Sequence, residues 1–528
     1  MATLAKIIGG LSLSVLALGL WGLLYRGPIL LVLLFWFLVL AWETRPPIRR
    51  VWQFSITEIK KEWLLFLLLA GLMAVNLVGA LGPELSFDAL FYHLTLPKIY
   101  LSQGRIFPLL GGLFYASEMP RLTEMLYAIA LTFGNEIWAK LIHFSFGILV
   151  AGALFRLIRR YFSVRTAILG VLIFYSSLVV GWQSTTAYID LARTFFELLA
   201  LDYFLRWFYN AKWPEKEKIS DLVTSALMLG LAASTKIFAL GSLGIFGILI
   251  LLKKQKKFMR YVTCYMFFAV LIVLPWPILT FRATGNPIYP IGAGILDPTH
   301  EITRFSLSRF VIDFWNFFQR SADPLSPVFL VLLPLSIFGL KGQKPVVKTV
   351  ALYCLLAYAV WYFIPRTGGG RYGLPYLPAF SFLAASSFSV RWPKIIRRAA
   401  LASVLLFACF SLVYRLGANL KYLPYVLGRE TKAEFLKSNL NFSVGNFYDI
   451  DGWFAQNIRQ DDLVLIYGIH NLYYVNFPFI HESCAKHGTR FTYILVQNMD
   501  LPERFGTRRL VYENNTTGVK LYAFGEKF

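Results

Sequence analysis

Asp88 and His93 lie just beyond an apolar run, Trp63 to Gly82, that is long enough to cross a bilayer. A carboxylate at that depth is expensive unless it is paired or used. Asp88 is therefore the first candidate for chemistry, as a base that takes a proton from a hydroxyl. It stands in Phe87-Asp-Ala-Leu-Phe-Tyr-His93. If Phe87–Leu101 is a helix, Asp88 and Tyr92 share a face at i, i+4 spacing. His93 then points away from Asp88 by about 140°, so spacing implies no Asp–His dyad. The competing role for Asp88 is a helix N-cap, and for His93 an interfacial structural histidine.

Four further clusters hold the other unusual polar groups. Glu118 and Arg121 lie in the same loop as Asp88, and Glu118 is a candidate second acid together with Asp190. Asp190 opens an apolar run, where negative charge also suits a helix N-terminus. Lys236 stands between two apolar runs, a costly place unless it meets an anion or snorkels to the interface. Arg282 borders a Pro- and Gly-rich turn. Arg366 and Arg371 flank three glycines, which allow close approach of backbone to a ligand, and arginine suits bidentate phosphate recognition. Single arginines could be interface anchors, but cations at several run ends beside Gly-rich turns point to a phosphate site.

Composition says what must position these groups. Of 528 residues, 57% are hydrophobic and only 15% charged, where soluble domains run nearer a quarter charged. We count about thirteen apolar runs near spanning length: Ile7–Tyr25, Pro28–Trp42, Trp63–Gly82, Ile137–Leu157, Thr166–Trp182, Leu191–Tyr209, Leu222–Ser234, Ile237–Leu252, Tyr261–Phe281, Pro327–Leu340, Val350–Ile364, Tyr372–Val390 and Ala399–Tyr414. The first is too long for a typical signal-peptide core and is kept as a span. Pro120–Gly134 is shorter and reads as an interfacial or re-entrant helix. With the N-terminus inside, the six loops left inside are all basic, including Arg156–Arg165 and Arg391–Arg398. The net charge of +23 thus reflects membrane topology, and nucleic acid is not an expected partner. Loops 83–120 and 282–326 fall outside, as does everything after about Arg415.

The expected fold is mainly α, a polytopic membrane protein with residues 1–415 in the bilayer. Residues 416–528 should form a small extracytoplasmic α/β domain, because short alternating runs appear there: Leu463–Tyr467, Phe491–Val496, Leu510–Tyr512 and Lys520–Ala523. Four cysteines supply no disulfide framework or CxxC metal site. No cofactor is expected, and a divalent metal is not indicated.

One reaction uses all these groups. A lipid phosphate lies in the interface, and Lys236, Arg282, Arg366 and Arg371 hold its charge as a sugar–oxygen bond breaks. Asp88 accepts the acceptor hydroxyl's proton, and in-line displacement inverts the anomeric centre. Tyr92, His93, Glu118 and Asp190 are further substrate contacts. The chain at this point resembles bacterial polytopic glycosyltransferases of the GT-C superfamily, the protein O-mannosyltransferase and aminoarabinose-transferase relatives. The resemblance rests on the Asp88 segment, Phe133-Gly-Asn-Glu136, Ala187-Tyr-Ile-Asp190, Ser234-Thr-Lys236, Thr284-Gly-Asn-Pro-Ile-Tyr-Pro290 and Arg371-Tyr-Gly-Leu-Pro375. It implies a polyprenyl-phosphate monosaccharide donor, Asp88 as base, an active site outside a bacterial cell membrane, and a substrate-side tail. Many relatives carry Asp-Glu or Asp-x-Asp in that loop, whereas Ala89 follows Asp88 here. The alternatives are a transporter or flippase of lipid-linked glycans, against which the nearly charge-free run centres and absent internal repeat argue, and a glycan polymerase or ligase. The acceptor could be protein, lipid or glycan.

Overall fold

The computed structural model describes residues 1–43, 61–109, 111–210, 214–253, 257–290, 305–319, 325–363, 366–486 and 488–524. Most of the expected inner loop Arg45–Lys61, parts of two other basic loops, part of the outer loop 282–326 and the side chain of Arg366 lie outside the described residues.

Among the described residues, each of the thirteen apolar runs is mostly helical. In chain order the helices are α1 (Ala2–Leu20), α2 (Arg26–Glu43), α3 (Trp63–Ala80), α4 (Thr95–Gln103), α5 (Leu122–Phe133), α6 (Glu136–Arg159), α7 (Val164–Tyr175), α8 (Leu178–Gln183), α9 (Asp190–Tyr209), α10 (Glu215–Thr235), α11 (Leu240–Leu252), α12 (Phe258–Val273), α13 (Pro275–Thr284), α14 (Leu307–Gln319), α15 (Val328–Phe338), α16 (Pro345–Phe363), α17 (Leu377–Ser386) and α18 (Lys394–Asn419). Among the described residues, only six helices are long and apolar enough to cross a membrane, or seven if α12 and α13, bent by 56°, form one span. The count of about thirteen crossings is thus not reached on those criteria, for two physical reasons. Some runs are broken: α7 stops at Ser176-Ser177, where the Ser177 hydroxyl donates back to the Ile173 carbonyl at 3.1 Å and competes with the helix. Others carry internal charge, as α9 does at Arg193, Glu197, Asp202 and Arg206. The Pro120–Gly134 segment holds the short helix α5, packed against α1 and α6.

One end of the bundle is organised by a buried lysine. Lys140 of α6 is fully buried, and its Nζ donates to the carbonyls of Gly79, Gly82 and Pro83 at 2.9, 2.7 and 3.1 Å. These include carbonyls that the end of α3 leaves without helical partners, and a cation there also suits the helix dipole. The chain leaving α3 is thereby held where it must turn toward Asp88.

Beyond α18 come α19 (Leu423–Val426), α20 (Lys432–Asn439) and α21 (Trp453–Asn457), then β1 (Val464–Tyr467), β2 (Phe479–His481), β3 (Tyr493–Gln497), β4 (Leu510–Asn514) and β5 (Val519–Ala523). Thr431 and Glu434 close a capping box on α20. The sheet order is β2-β1-β3-β5-β4, with β1 parallel to β2 and β3, and β5 antiparallel to β3 and β4. All four residues of β1 are buried, as a central parallel strand requires. The β1–β2 crossover docks this part on the bundle. Lys98 of α4 donates to the carbonyls of Tyr473 and Val475 and to Asn476 Oδ1 at 2.7, 2.6 and 2.8 Å. The hydroxyl of Tyr473 donates to Glu136 at 3.1 Å, and Lys432 pairs with the same carboxylate at 2.5 Å.

Lys140→Met is expected to destabilise the protein by on the order of 3 kcal/mol, because it leaves buried carbonyls without a donor. Thermal unfolding in detergent checks this; an unchanged midpoint would show that those carbonyls find other partners.

Candidate active site

Asp88 enters the site on an unusual piece of helix. Phe87 and Asp88 are α-helical, Ala89–His93 form a π turn in which Leu94 N–H donates to the Ala89 carbonyl at 2.9 Å, and α4 follows. A π turn uses i→i+5 bonds and recurs at functional sites. It leaves the Leu90 carbonyl open to two outside donors, the Thr95 hydroxyl at 2.6 Å and the Tyr473 N–H at 3.3 Å. The C-terminal part therefore touches the turn that carries Asp88. The Asp88 side chain makes no N-cap bond. It pairs instead with Arg371, whose Nη1 lies 2.8 Å from Oδ2. Tyr92 donates to the same oxygen at 3.4 Å, so the i, i+4 face expected from spacing is present.

Arg371 comes from the Gly-rich turn Arg366–Tyr376, where Gly369 has φ +52°, a conformation glycine adopts without penalty. Its Nε lies 4.0 Å from Asp190 Oδ2, and Lys236 Nζ lies 2.8 Å from Asp190 Oδ1. Four separate segments thus bring Asp88, Asp190, Lys236 and Arg371 together. Their exposures separate the two acids. The Asp190 side chain is 1% exposed, whereas that of Asp88 is 21% exposed. Aromatic faces complete the surround: Arg371 lies over Tyr188 at 5.0 Å, and Lys236 over Tyr372 at 4.8 Å.

The cluster is electrically balanced, with two carboxylates and two cations. Of the two candidate second acids, Asp190 joins Asp88 in the cluster and Glu118 does not. Burial, and after it the negative charge of Asp88, push the Tyr92 and Tyr188 phenols well above their usual range. Both stay protonated at neutral pH, which leaves Tyr92 a donor. Burial alone would lower the basicity of Arg371, but the carboxylates of Asp190 and Asp88 raise it. It is a permanent cation. A guanidinium has five N–H donors and an ammonium three, so Arg371 and Lys236 keep donors for a further anion.

Other expected site residues lie elsewhere. His93 Nδ1 meets Glu124 Oε1 at 2.7 Å, with both side chains 2% exposed; it is an interior histidine paired with Glu124 and not with Asp88. Glu118 is buried and accepts from Ser117 at 2.8 Å. Arg282 is exposed on α13. Among the described residues, no hydrogen bond or ion pair joins Glu118 or Arg282 to the Asp88 cluster. No three His, Cys, Asp or Glu side chains converge among the described residues either.

Several residues that the sequence reading passed over position the cluster. Glu84 is 1% exposed. Its Oε1 accepts the N–H groups of Leu85 and Ser86, both at 2.9 Å, and its Oε2 accepts that of Ala187 at 2.6 Å. One carboxylate thus ties the segment before Asp88 to the segment before Asp190. His143 holds the second segment from below, with Nδ1 2.9 Å from the Thr186 carbonyl and Nε2 accepting Leu191 N–H at 3.1 Å. Inside the bundle, Arg193 pairs with Glu197 at 2.7 Å, and Ser242 and Tyr376 complete the network. Lys140, His143, Arg193 and Glu197 all stand in apolar runs, which corrects the expectation of nearly charge-free run centres, and an ionisable residue there is itself a signal.

Residues 105–285 match the family described as dolichyl-phosphate-mannose-protein mannosyltransferase. That stretch contains Asp190 and Lys236 but neither Asp88 nor Arg371. The fold is similar to that of ArnT from Cupriavidus metallidurans. The apo crystal structure gives a TM-score of 0.59 at 13% identity, covering 88% of this chain and 98% of that one. The crystal structure bound to undecaprenyl phosphate gives 0.57 at 14% identity with the same coverage. No curated protein matches the chain. The family match and the shared fold together support the GT-C glycosyltransferase resemblance drawn from the sequence.

Asp190→Asn is expected to cost on the order of 3 kcal/mol, because it strips a buried partner from Lys236 and Arg371. Asp88→Asn should cost less, since Asp88 is partly exposed and Arg371 keeps Asp190. Thermal midpoints of the two variants in detergent check the order, and the reverse order would contradict the burial argument.

Proposed function

We propose that the chain is a membrane glycosyltransferase that moves a monosaccharide from a polyprenyl-phosphate carrier to an acceptor hydroxyl, with Asp88 as the base. The observation that carries this reading is Arg371 lying between Asp88 and Asp190 in a cluster that solvent reaches on the Asp88 side. The family match and the likeness to an ArnT structure bound to undecaprenyl phosphate support a phosphate-bearing lipid as donor carrier.

The balanced charges suggest how the steps are ordered. In the free protein Arg371 occupies a lone pair of Asp88 Oδ2, so that lone pair is not offered to an acceptor hydroxyl. A carrier phosphate entering the cluster attracts the unused donors of Arg371 and Lys236. As Arg371 turns toward the phosphate, Asp88 is freed to accept the acceptor's proton. Asp190, buried and bonded to Lys236, holds the cation in place throughout. The hydroxyl oxygen attacks the anomeric carbon, the carbon–phosphate oxygen bond breaks, and the electron pair leaves on the phosphate, where the two cations stabilise it. Displacement from the opposite side inverts the anomeric centre. The leaving phosphate requires no proton, so one carboxylate suffices, unlike the two that glycosidic hydrolysis usually employs. On this reading the cluster and the C-terminal part face the outside of a bacterial cell membrane.

Asp88→Asn should lower transfer by roughly 100-fold or more while the protein still binds the carrier. Single-turnover assays with a polyprenyl-phosphate sugar check this, and wild-type-like turnover would remove Asp88 as base. Arg371→Ala should weaken binding of the polyprenyl-phosphate carrier by about 10-fold or more, as expected for a lost charge-assisted bond. An unchanged carrier affinity would take Arg371 out of the phosphate site.

A further inference from the structure

At the opposite end of α18 from the Asp88 cluster, a hollow of about 380 Å³ is lined by Ser163, Arg165 and Thr166 at the start of α7, and by Lys394, Arg397 and Arg398 at the start of α18. Leu169, Phe388 and Leu401 form its apolar wall. The other end of α18 is fixed near Asp88's loop, because Arg415 bonds Asn76 and Thr185, each at 3.2 Å. With 26 residues in α18, the two ends are separated by about 39 Å, at 1.5 Å per residue. The hollow is therefore remote from the candidate active site.

Its charges are arranged against every local preference. Lys394, Arg397, Arg398 and Leu401 follow i, i+3, i+4, i+7 spacing, which puts three cations and one apolar residue on one helix face. Like charges at i, i+4 repel. Cations in a first helical turn also oppose the helix dipole, which favours anions there. Neither α7 nor α18 has an acidic residue in its first turn. Among the described residues, the one acid paired with this group is Glu62, 3.9 Å from Arg165. A basic inner loop accounts for cations at this end of the bundle. It does not account for four of them facing one hollow between two helix N-termini.

The geometry points to a binding site for an anionic lipid phosphate. The four cations and the N–H groups at the start of α18, which no side chain caps, meet the phosphate, and Leu169, Phe388 and Leu401 meet the first methylenes of an acyl chain. Basic pockets between transmembrane helices on the cytoplasmic side bind such headgroups in general. The apolar wall selects a lipid over free phosphate, which has no use for it. The site is separate from the donor phosphate site proposed above and stands without it.

The test uses the full chain, purified in an uncharged detergent and delipidated. Phosphatidylglycerol, phosphatidylcholine and inorganic phosphate are added separately, and thermal midpoint and native mass spectra are recorded. Phosphatidylglycerol should raise the midpoint by several degrees and leave a bound adduct, while the other two do neither. The K394Q/R397Q/R398Q variant should lose both effects. These side chains are exposed, so the fold should survive. A K341Q/K348Q variant, which removes basic-loop charge that does not line the hollow, should keep both. Three results would overturn the proposal: an adduct and shift retained in the triple variant, an equal loss in the Lys341/Lys348 variant, which would indicate diffuse attraction, or a full shift with inorganic phosphate alone.

Discussion

Asp190 is a carboxylate removed almost completely from water at the start of a helix, and such a group must be neutralised where it stands. Lys236 and Arg371 supply that charge from two other segments, and Arg371 then reaches Asp88. The rest of the upper bundle follows from keeping these four side chains within reach. Each is delivered by a break between helices: a π turn for Asp88, a bend before α9 for Asp190, the α10–α11 junction for Lys236 and a glycine turn for Arg371. Irregular backbone in a membrane protein persists where protein or water satisfies it. Here buried side chains do so, Glu84 taking three N–H groups and Lys140 three carbonyls.

The C-terminal part is joined to this arrangement through its β1–β2 crossover. Tyr473 donates its N–H to Leu90, two residues after Asp88, and Tyr474 exchanges bonds with the Glu84 backbone at 3.1 and 2.9 Å. A displacement of the crossover would thus alter both the turn bearing Asp88 and the residue that ties it to the Asp190 segment. This coupling gives the tail a physical means of influencing the cluster, since both contacts fall on backbone rather than on adaptable side chains.

The two ends of the bundle solve opposite electrostatic problems. At one end cations and acids cancel within a partly enclosed cluster, leaving unused donors on Arg371 and Lys236. At the other, cations gather at two helix starts with little acid beside them. The first arrangement suits an anion that must come and go, because the resident acids take the cations back. The second suits an anion that stays.

Much of this was legible in the residues. Apolar length marked thirteen helical runs, the cost of a charge near hydrocarbon singled out Asp88 and Lys236, and Asp190 stood out at the start of a run; all three meet in the cluster. The same rule applied to Lys140, Arg193 and Glu197, whose burial follows from their places inside apolar runs. His93 and Glu118 shared a loop with Asp88, yet their side chains find partners elsewhere, because His93 leaves Asp88's face of the helix and Glu118 stands on a separate helical segment. Periodicity and charge act along the chain, so the sequence by itself determined which segments are helical, which are apolar and which residues are costly enough to need a partner. Which costly residue meets which was decided only by tertiary packing. The Asp88–Arg371 pair joins positions 283 residues apart, and no local pattern encodes a contact made by the closing of the whole bundle.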